Sequence, residues 1–399
     1  MIITSARATI TVLPASTVPA YIANLAPGAA LQVPSKVSSA FAAFSGEAGD
    51  PISVYGYSGG AYDTRRARYM RTGGGHNDHN GNGVYGFSLY SSETPTWTLF
   101  KPHTSPPSVT NFLTPSVEFA PNGDPASSHT YSQVVYDAYS DKLVLMGLGS
   151  AAGSTGNNFS RLRLLNLATN TWEAASSALA GPPVSMFVAA FAYHDAERAI
   201  YGRGGGTQGR WFRYDCVAGT LLQLTVSGGG SATPNIDSSC AIDPARQYGI
   251  WVGGYSDIGP LDNGSADMVL LDISSRSGAN ITSYARTLSG FPAVLRSAKV
   301  GIEFHPPSGS FVAWNGGNTL YRLIPPSNPF TGNWTFQTIT PSGTPLPTMG
   351  SGSLAGVYSK FRWAPYPTDA SRGVFIMDCL QGSSGNYTAS NVAIYKPNF

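Results

Sequence analysis

The chain is predicted to be all-β: a closed β-propeller of four-stranded blades. Three observations carry this prediction. First, a short pattern recurs: an aromatic or apolar residue, most often followed by Asp, then a polar turn, a β-prone strand and, in most copies, glycines. The pattern residue is Tyr62, Tyr136, Tyr193, Ile242, Phe304 and Trp363. Second, these positions lie 49 to 74 residues apart, and repeats of such a period belong to propellers, solenoids or arrays. Third, the residues after each copy read as further short strands, and four antiparallel strands per unit is a propeller blade. Helical periodicity is missing over long stretches, and Gly and Pro interrupt what remains.

Each blade opens with a hairpin, in which strand, polar turn, strand and Gly-Gly follow one another. The second strand is Leu143–Gly147 in the second copy, Ala199–Gly206 in the third and Gly249–Gly254 in the fourth. It is Ser310–Gly317 in the fifth; the sixth, Gly373–Met377, lacks terminal glycines. Third strands follow at Gly83–Leu89, Leu162–Leu167, Arg210–Tyr214, Met268–Asp272 and Thr319–Leu323. Fourth strands carry Trp97, Trp172, Leu221–Thr225 and Trp334. Six blades are counted, starting near residues 52, 128, 185, 236, 296 and 354; a seventh would need a unit within 1–50 and 100–125. The last unit ends early, with Asn391–Tyr395 as its third strand. Ala29–Val37 is β-prone and is expected to supply the missing strand, closing the ring and removing a sheet edge. The chain thus divides into an arm, 1–50, rich in Ala, Pro and Ser, and a propeller, 51–399.

Composition excludes several classes. Charged residues are 12% of the chain, about half the usual ~25%, and the net charge is +2. Neither value suits nucleic acid. Hydrophobic residues at 42% and aromatics at 12% can fill a core, so the low charge is not disorder. Arg65, Arg66 and Arg68 fall in a turn and read as a solvated surface. The cysteines, Cys216, Cys240 and Cys379, are odd in number and lack metal-ligand spacing, so they read as free thiols in or near strands. No apolar run is long enough to span a bilayer. The N-terminus, with Arg7 as its early base and a short, polar Ile10–Ala15, is no convincing signal peptide. A low-charge, Gly/Ser/Thr/Asn-rich surface without a visible export signal fits a virion protein released by lysis. In that setting the arm would dock on other virion subunits; a strap across the propeller rim is equally open to it.

The densest set of reactive side chains is His76, Asp78, His79 and Asn80, on a loop leaving Gly73–Gly75. Glycines let backbone approach a ligand, and loops on a rigid scaffold often carry function. Metal binding, catalysis or ligand binding, and capping of backbone groups are all open to these four. His129 and Tyr131 are expected to open the first strand of the second blade, near the central channel. Tyr193 is the core aromatic of its repeat, with Arg203 farther along the same hairpin. The acidic loop with Asp257, Asp262 and Asp267 offers oxygens for Ca²⁺ but departs from EF-hand spacing. Tyr55, Tyr57, Trp211, Trp251, Trp314, Trp363 and Tyr366 are either core aromatics or a surface on which sugar rings stack.

The units resemble kelch repeats, the galactose-oxidase type of propeller, over nearly the whole chain. The block Gly73–Phe87, with Ser128–Tyr131, resembles a group of kelch-like proteins of bacteria and bacteriophages. It also resembles propeller polysaccharide lyases of the ulvan-lyase type. The first resemblance implies a module displayed on a phage particle, structural or receptor-facing, with a cell-surface glycan as a possible ligand. The second implies β-elimination on uronate-containing glycans, with His76, His129, Tyr193 and Arg203 as the catalytic set. Such a lyase needs a base for the proton α to the carboxylate, an acid for the leaving oxygen, and a cation for the developing charge. A galactose-oxidase copper site is not expected, because the chain lacks a recognisable Tyr, His and Cys set.

Overall fold

The computed structural model describes residues 18–33, 58–73, 82–102, 104, 119, 122–125, 128–146, 162–174, 190–203, 210–228, 238–253, 266–296, 299–346, 356–383 and 386–399. A helical turn, α1 (Ala20–Ala23), precedes strand β1 (Ala29–Gln32). Five antiparallel meanders follow. They are β2–β5 (59–63, 68–72, 84–87, 97–101), β6–β9 (134–137, 142–145, 163–166, 171–172), β10–β13 (190–194, 199–203, 211–215, 220–227), β14–β17 (238–243, 248–253, 268–277, 280–286) and β18–β21 (301–305, 310–314, 320–324, 335–339). The chain ends with β22 (Ser342–Gly343), β23 (Phe361–Tyr366), β24 (Asp369–Ser383) and β25 (Asn386–Tyr395).

The strands form five sheets, and their arrangement is that of a β-propeller. Two meanders share one eight-stranded sheet, because the outer strands β13 and β17 pair in parallel, Val226 opposite Ile281. In the last sheet β1 pairs antiparallel with β25, Leu31 opposite Ile394. The first strands of the units begin at residues 59, 134, 190, 238, 301 and 361, a few residues after the starts expected from sequence.

The recurring Asp caps the first hairpin turn, where short polar side chains satisfy backbone donors. Asp63 Oδ1 accepts the N–H groups of Arg65 and Arg66, Asp137 Oδ1 those of Tyr139 and Ser140, and Asp243 Oδ1 those of Ala245 and Arg246. His194 substitutes, its Nδ1 accepting from Glu197 N–H. Four residues after each cap the backbone turns left-handed, at Ala67, Asp141, Arg198 and Gln247. The arginines of the first turn are paired rather than solvated. Arg66 binds Asp141 at 2.7 Å and Asp63 at 3.0 Å, and Arg68 lies 3.2 Å from Asp63.

Apolar strand residues pack between neighbouring meanders. Met70 and Val84 meet Leu143 and Leu165 in one cluster, and Tyr201 and Trp211 meet Trp251 and Ile281 in another. A further cluster joins Tyr62 and Phe87 to Ile376 and Ile394. Trp211, Trp251, Trp314 and Tyr366 are buried in the core, and Trp363 is buried as well; Tyr55 and Tyr57 lie outside the described residues. Cys216 and Cys240 are buried free thiols.

Candidate functional site

The first strands have two ends, and the candidate residues divide between them. At the starting end, Thr130 ties two units together: its Oγ1 accepts from Gly59 N–H at 2.9 Å and donates to Thr72 O at 2.9 Å. Gly73, with φ +96°, lies so close that a Cβ there would sit 2.7 Å from Ser128 O. Gly73 thus packs directly against the Ser128–Thr130 segment. The loop residues His76, Asp78, His79 and Asn80 lie outside the described set.

His129 and Tyr131 come together. The imidazole Nδ1 is 2.9 Å from the Tyr131 hydroxyl, and both residues are buried. The Tyr131 ring meets the Tyr358 ring edge-on at 5.3 Å. Both tyrosines hold left-handed backbone, φ +38° and +49°, which costs roughly 1–2 kcal/mol for a residue with a Cβ. The surroundings hold them there. Ser359 Oγ accepts from Gly60 N–H and donates to Tyr131 O, while Gly59 leaves no room for a side chain beside Tyr131 O. Backbone strain that the fold maintains is a feature of functional sites.

Buried charges lie near this segment. Arg71 and Asp378 approach to 3.4 Å with no side-chain exposure. Lys360 Nζ donates to Ser58 O and Arg71 Nη2 to Ser58 Oγ. Burial raises the Asp378 carboxyl, while Arg71 and Lys360 pull it back.

Arg203 belongs to the same end. It pairs with Ala190, which bridges Ser132, the residue after Tyr131. Arg203 is 6% exposed, and burial alone lowers its guanidinium to about 10. Among the described residues no carboxylate faces it; its contact is the Trp211 ring, 5.4 Å away.

Tyr193 does not join this group. It sits three residues along β10, opposite Ile200, so roughly 10 Å of strand separates it from the Arg203 row. It lines a cavity of about 380 Å³ at the hairpin-turn end, together with Tyr62, Tyr136, Ile242, Phe304 and Trp363. Here the repeat motif meets itself: the recurring residue of every unit reaches one cavity. Glu303 and Arg362 line it too, paired at 2.8 Å, and sequence reasoning missed them. The signal was present, since the equivalent residues of the other units are Ala61, Val135, Ala192 and Ala241.

Asp267 spends both oxygens within the fold, Oδ2 on Leu288 N–H and Oδ1 on Arg296. Asp257 and Asp262 lie outside the described residues. Among the described residues no three His, Cys, Asp or Glu converge as metal donors. Nor does any described helix have the length and apolarity to cross a membrane.

No family model matches the sequence, and no curated protein matches it. Solved structures similar to the chain include one titled "Structure of YjhT", 12% identical with a TM-score of 0.47, covering 84% of this chain and 93% of that one. Another, "Structure of U3-55K", is 11% identical with a TM-score of 0.41, covering 84% and 79%. At these values neither bears on function.

Proposed function

We propose that the chain is a kelch-like propeller of six four-stranded blades, closed by β1, that is displayed on a bacteriophage particle and binds an anionic glycan at the Arg203 end. The observation that carries the ligand class is Arg203, a guanidinium at that end with no carboxylate of its own among the described residues. A carboxylate ligand would supply the bidentate partner that Arg geometry favours. The six-blade reading is supported by six first strands, four of them followed by the same capped turn, and closure by the β1–β25 pairing. Display on a particle rests on the low charge and the Gly/Ser/Thr/Asn-rich composition. Virion subunits would hold the arm.

Two measurements test this. Mass spectrometry of purified particles should find the chain at fixed stoichiometry; its absence from them ends the display reading. Calorimetric titration with polyuronates should show binding that a neutral dextran lacks. Arg203→Ala should weaken it at least about tenfold, in keeping with a lost charged hydrogen bond. Equal binding by wild type and variant ends the anionic-glycan reading.

A lyase activity is a second reading, favoured by the His129–Tyr131 contact, which sets an imidazole against a phenol. One group would take the proton α to a uronate carboxylate and the other protonate the departing oxygen as the carbon–carbon double bond forms. Polyuronate digests should then gain ultraviolet absorbance, and His129→Ala should abolish the gain. Flat absorbance with wild-type protein rules the reading out.

A further inference from the structure

We propose that the axial cavity at the hairpin-turn end is a second binding site, separate from the Arg203 end, for a neutral sugar ring bearing adjacent hydroxyls. Three observations carry it. The cavity is about 380 Å³, within the range of small-molecule pockets, roughly 300–1,000 Å³. Its walls come from the first strands of all units, and Tyr62, Tyr136, Tyr193, Phe304 and Trp363 set aromatic rings among smaller apolar residues. Glu303 and Arg362, the charged residues at a repeat position that is Ala or Val elsewhere, stand in a largely apolar lining to which the turn residues Thr64 and Asp195 also contribute.

A charged pair in an apolar channel is costly unless it is paired and hydrogen-bonded. Arg362 achieves this by reaching across several units. Its Nη1 donates to Glu303 Oε2 at 2.8 Å, its Nε to Gly60 O at 3.1 Å and its Nη2 to Val134 O at 3.4 Å. Each terminal nitrogen carries a second hydrogen, and the carboxylate can accept more than one donor. The Glu303 side chain is 21% exposed, while burial still raises its carboxyl. The pair is internally neutral, and the remaining charged residue of the lining, Asp195 on its exposed turn, offers no cation to an anionic ligand. Adjacent hydroxyls complement the pair: one donates to Glu303 while its neighbour accepts from Arg362. The apolar face of the ring then lies against the aromatic wall.

The test is saturation-transfer NMR with D-glucose, D-galactose and D-mannose as probes on the full chain. At least one should give signal with wild-type protein. Glu303→Gln should lower its affinity about tenfold or more, through loss of a charge-assisted hydrogen bond. Ala138→Trp, at the half-buried mouth of the cavity, should abolish the signal. If Glu303→Gln does not fold, Ala138→Trp carries the test alone. His129→Ala should leave the signal unchanged, because it lies at the other end. No signal from any hexose, or a signal that survives Ala138→Trp, overturns the proposal.

Discussion

Gln247 shows how much a single backbone angle can store. It is exposed, holds φ +54°, and stands where the fifth unit has Gly309 at +58°. A Cβ in this region is penalised by roughly 1–2 kcal/mol, against about 0.5–1 kcal/mol of extra chain entropy for glycine. Gln247→Gly should therefore stabilise by about 0.5 kcal/mol, read as a raised urea midpoint; a lowered one would refute the strain argument. Gly59 is the opposite case. A Cβ would fall 1.9 Å from Tyr131 O, so Gly59→Ala should displace Tyr131 and destabilise by about 1–3 kcal/mol, checked by thermal melting. His305 gives a pH signature. It is buried against Trp363, Phe375 and Phe399, and desolvation, with Arg322 nearby, lowers it to about 4. The unfolded chain, near 6.5, binds the proton first, so the stability from neutral His305 is complete above about 6.5 and lost as pH falls towards 4. That loss is about 3 kcal/mol at most. His305→Asn should weaken the protein at pH 7 and narrow the gap to wild type towards pH 4. A gap independent of pH would show that His305 titrates normally.

At the scale of elements, the repeat is a turn before it is a strand. Asp243 is fully buried, caps two N–H groups and accepts from Arg246 Nη1 at 2.7 Å. Asp243→Ala leaves those donors without a partner, and should cost about 1–3 kcal/mol in chemical denaturation. Asp243→Asn should recover most of this, since the amide oxygen still caps. Equal loss in both variants would assign the effect to the Arg246 pair instead. This turn was legible because Asp, a polar run and a strand leave a compositional mark. The parallel β13–β17 pairing was not. Its partners are 55 residues apart, as Thr225 and Asn280 show, and alternate no differently from ordinary outer strands. Arg276 supports the pairing from a distance: its guanidinium meets Glu197 at 3.0 Å, beside Tyr201 and Arg213.

At the scale of the whole molecule, the arm is the critical segment. Ala30, Leu31 and Gln32 pair with Tyr395, Ile394 and Ala393, while Ile22 and Val33 join the cluster that holds Tyr62 and Ile376. Deleting residues 1–33 should uncover the edge of β25, lower the melting temperature and promote self-association. A truncated chain that melts as wild type and stays monomeric would show that β1 does not complete the sheet. The sequence alone determined the all-β class, the hairpin turns and the one aromatic or apolar residue that recurs in each unit. These are local properties, written in the order of residues within about a dozen positions. Only the tertiary structure decided which distant residues meet. It set His129 against Tyr131 and placed Arg203 at their end. It carried Tyr193 to the opposite end, because a strand advances about 3.3 Å per residue and three residues suffice to change neighbourhoods. It also joined Glu303 to Arg362, charges of opposite sign in separate units, because adjacent first strands bring equivalent positions within reach.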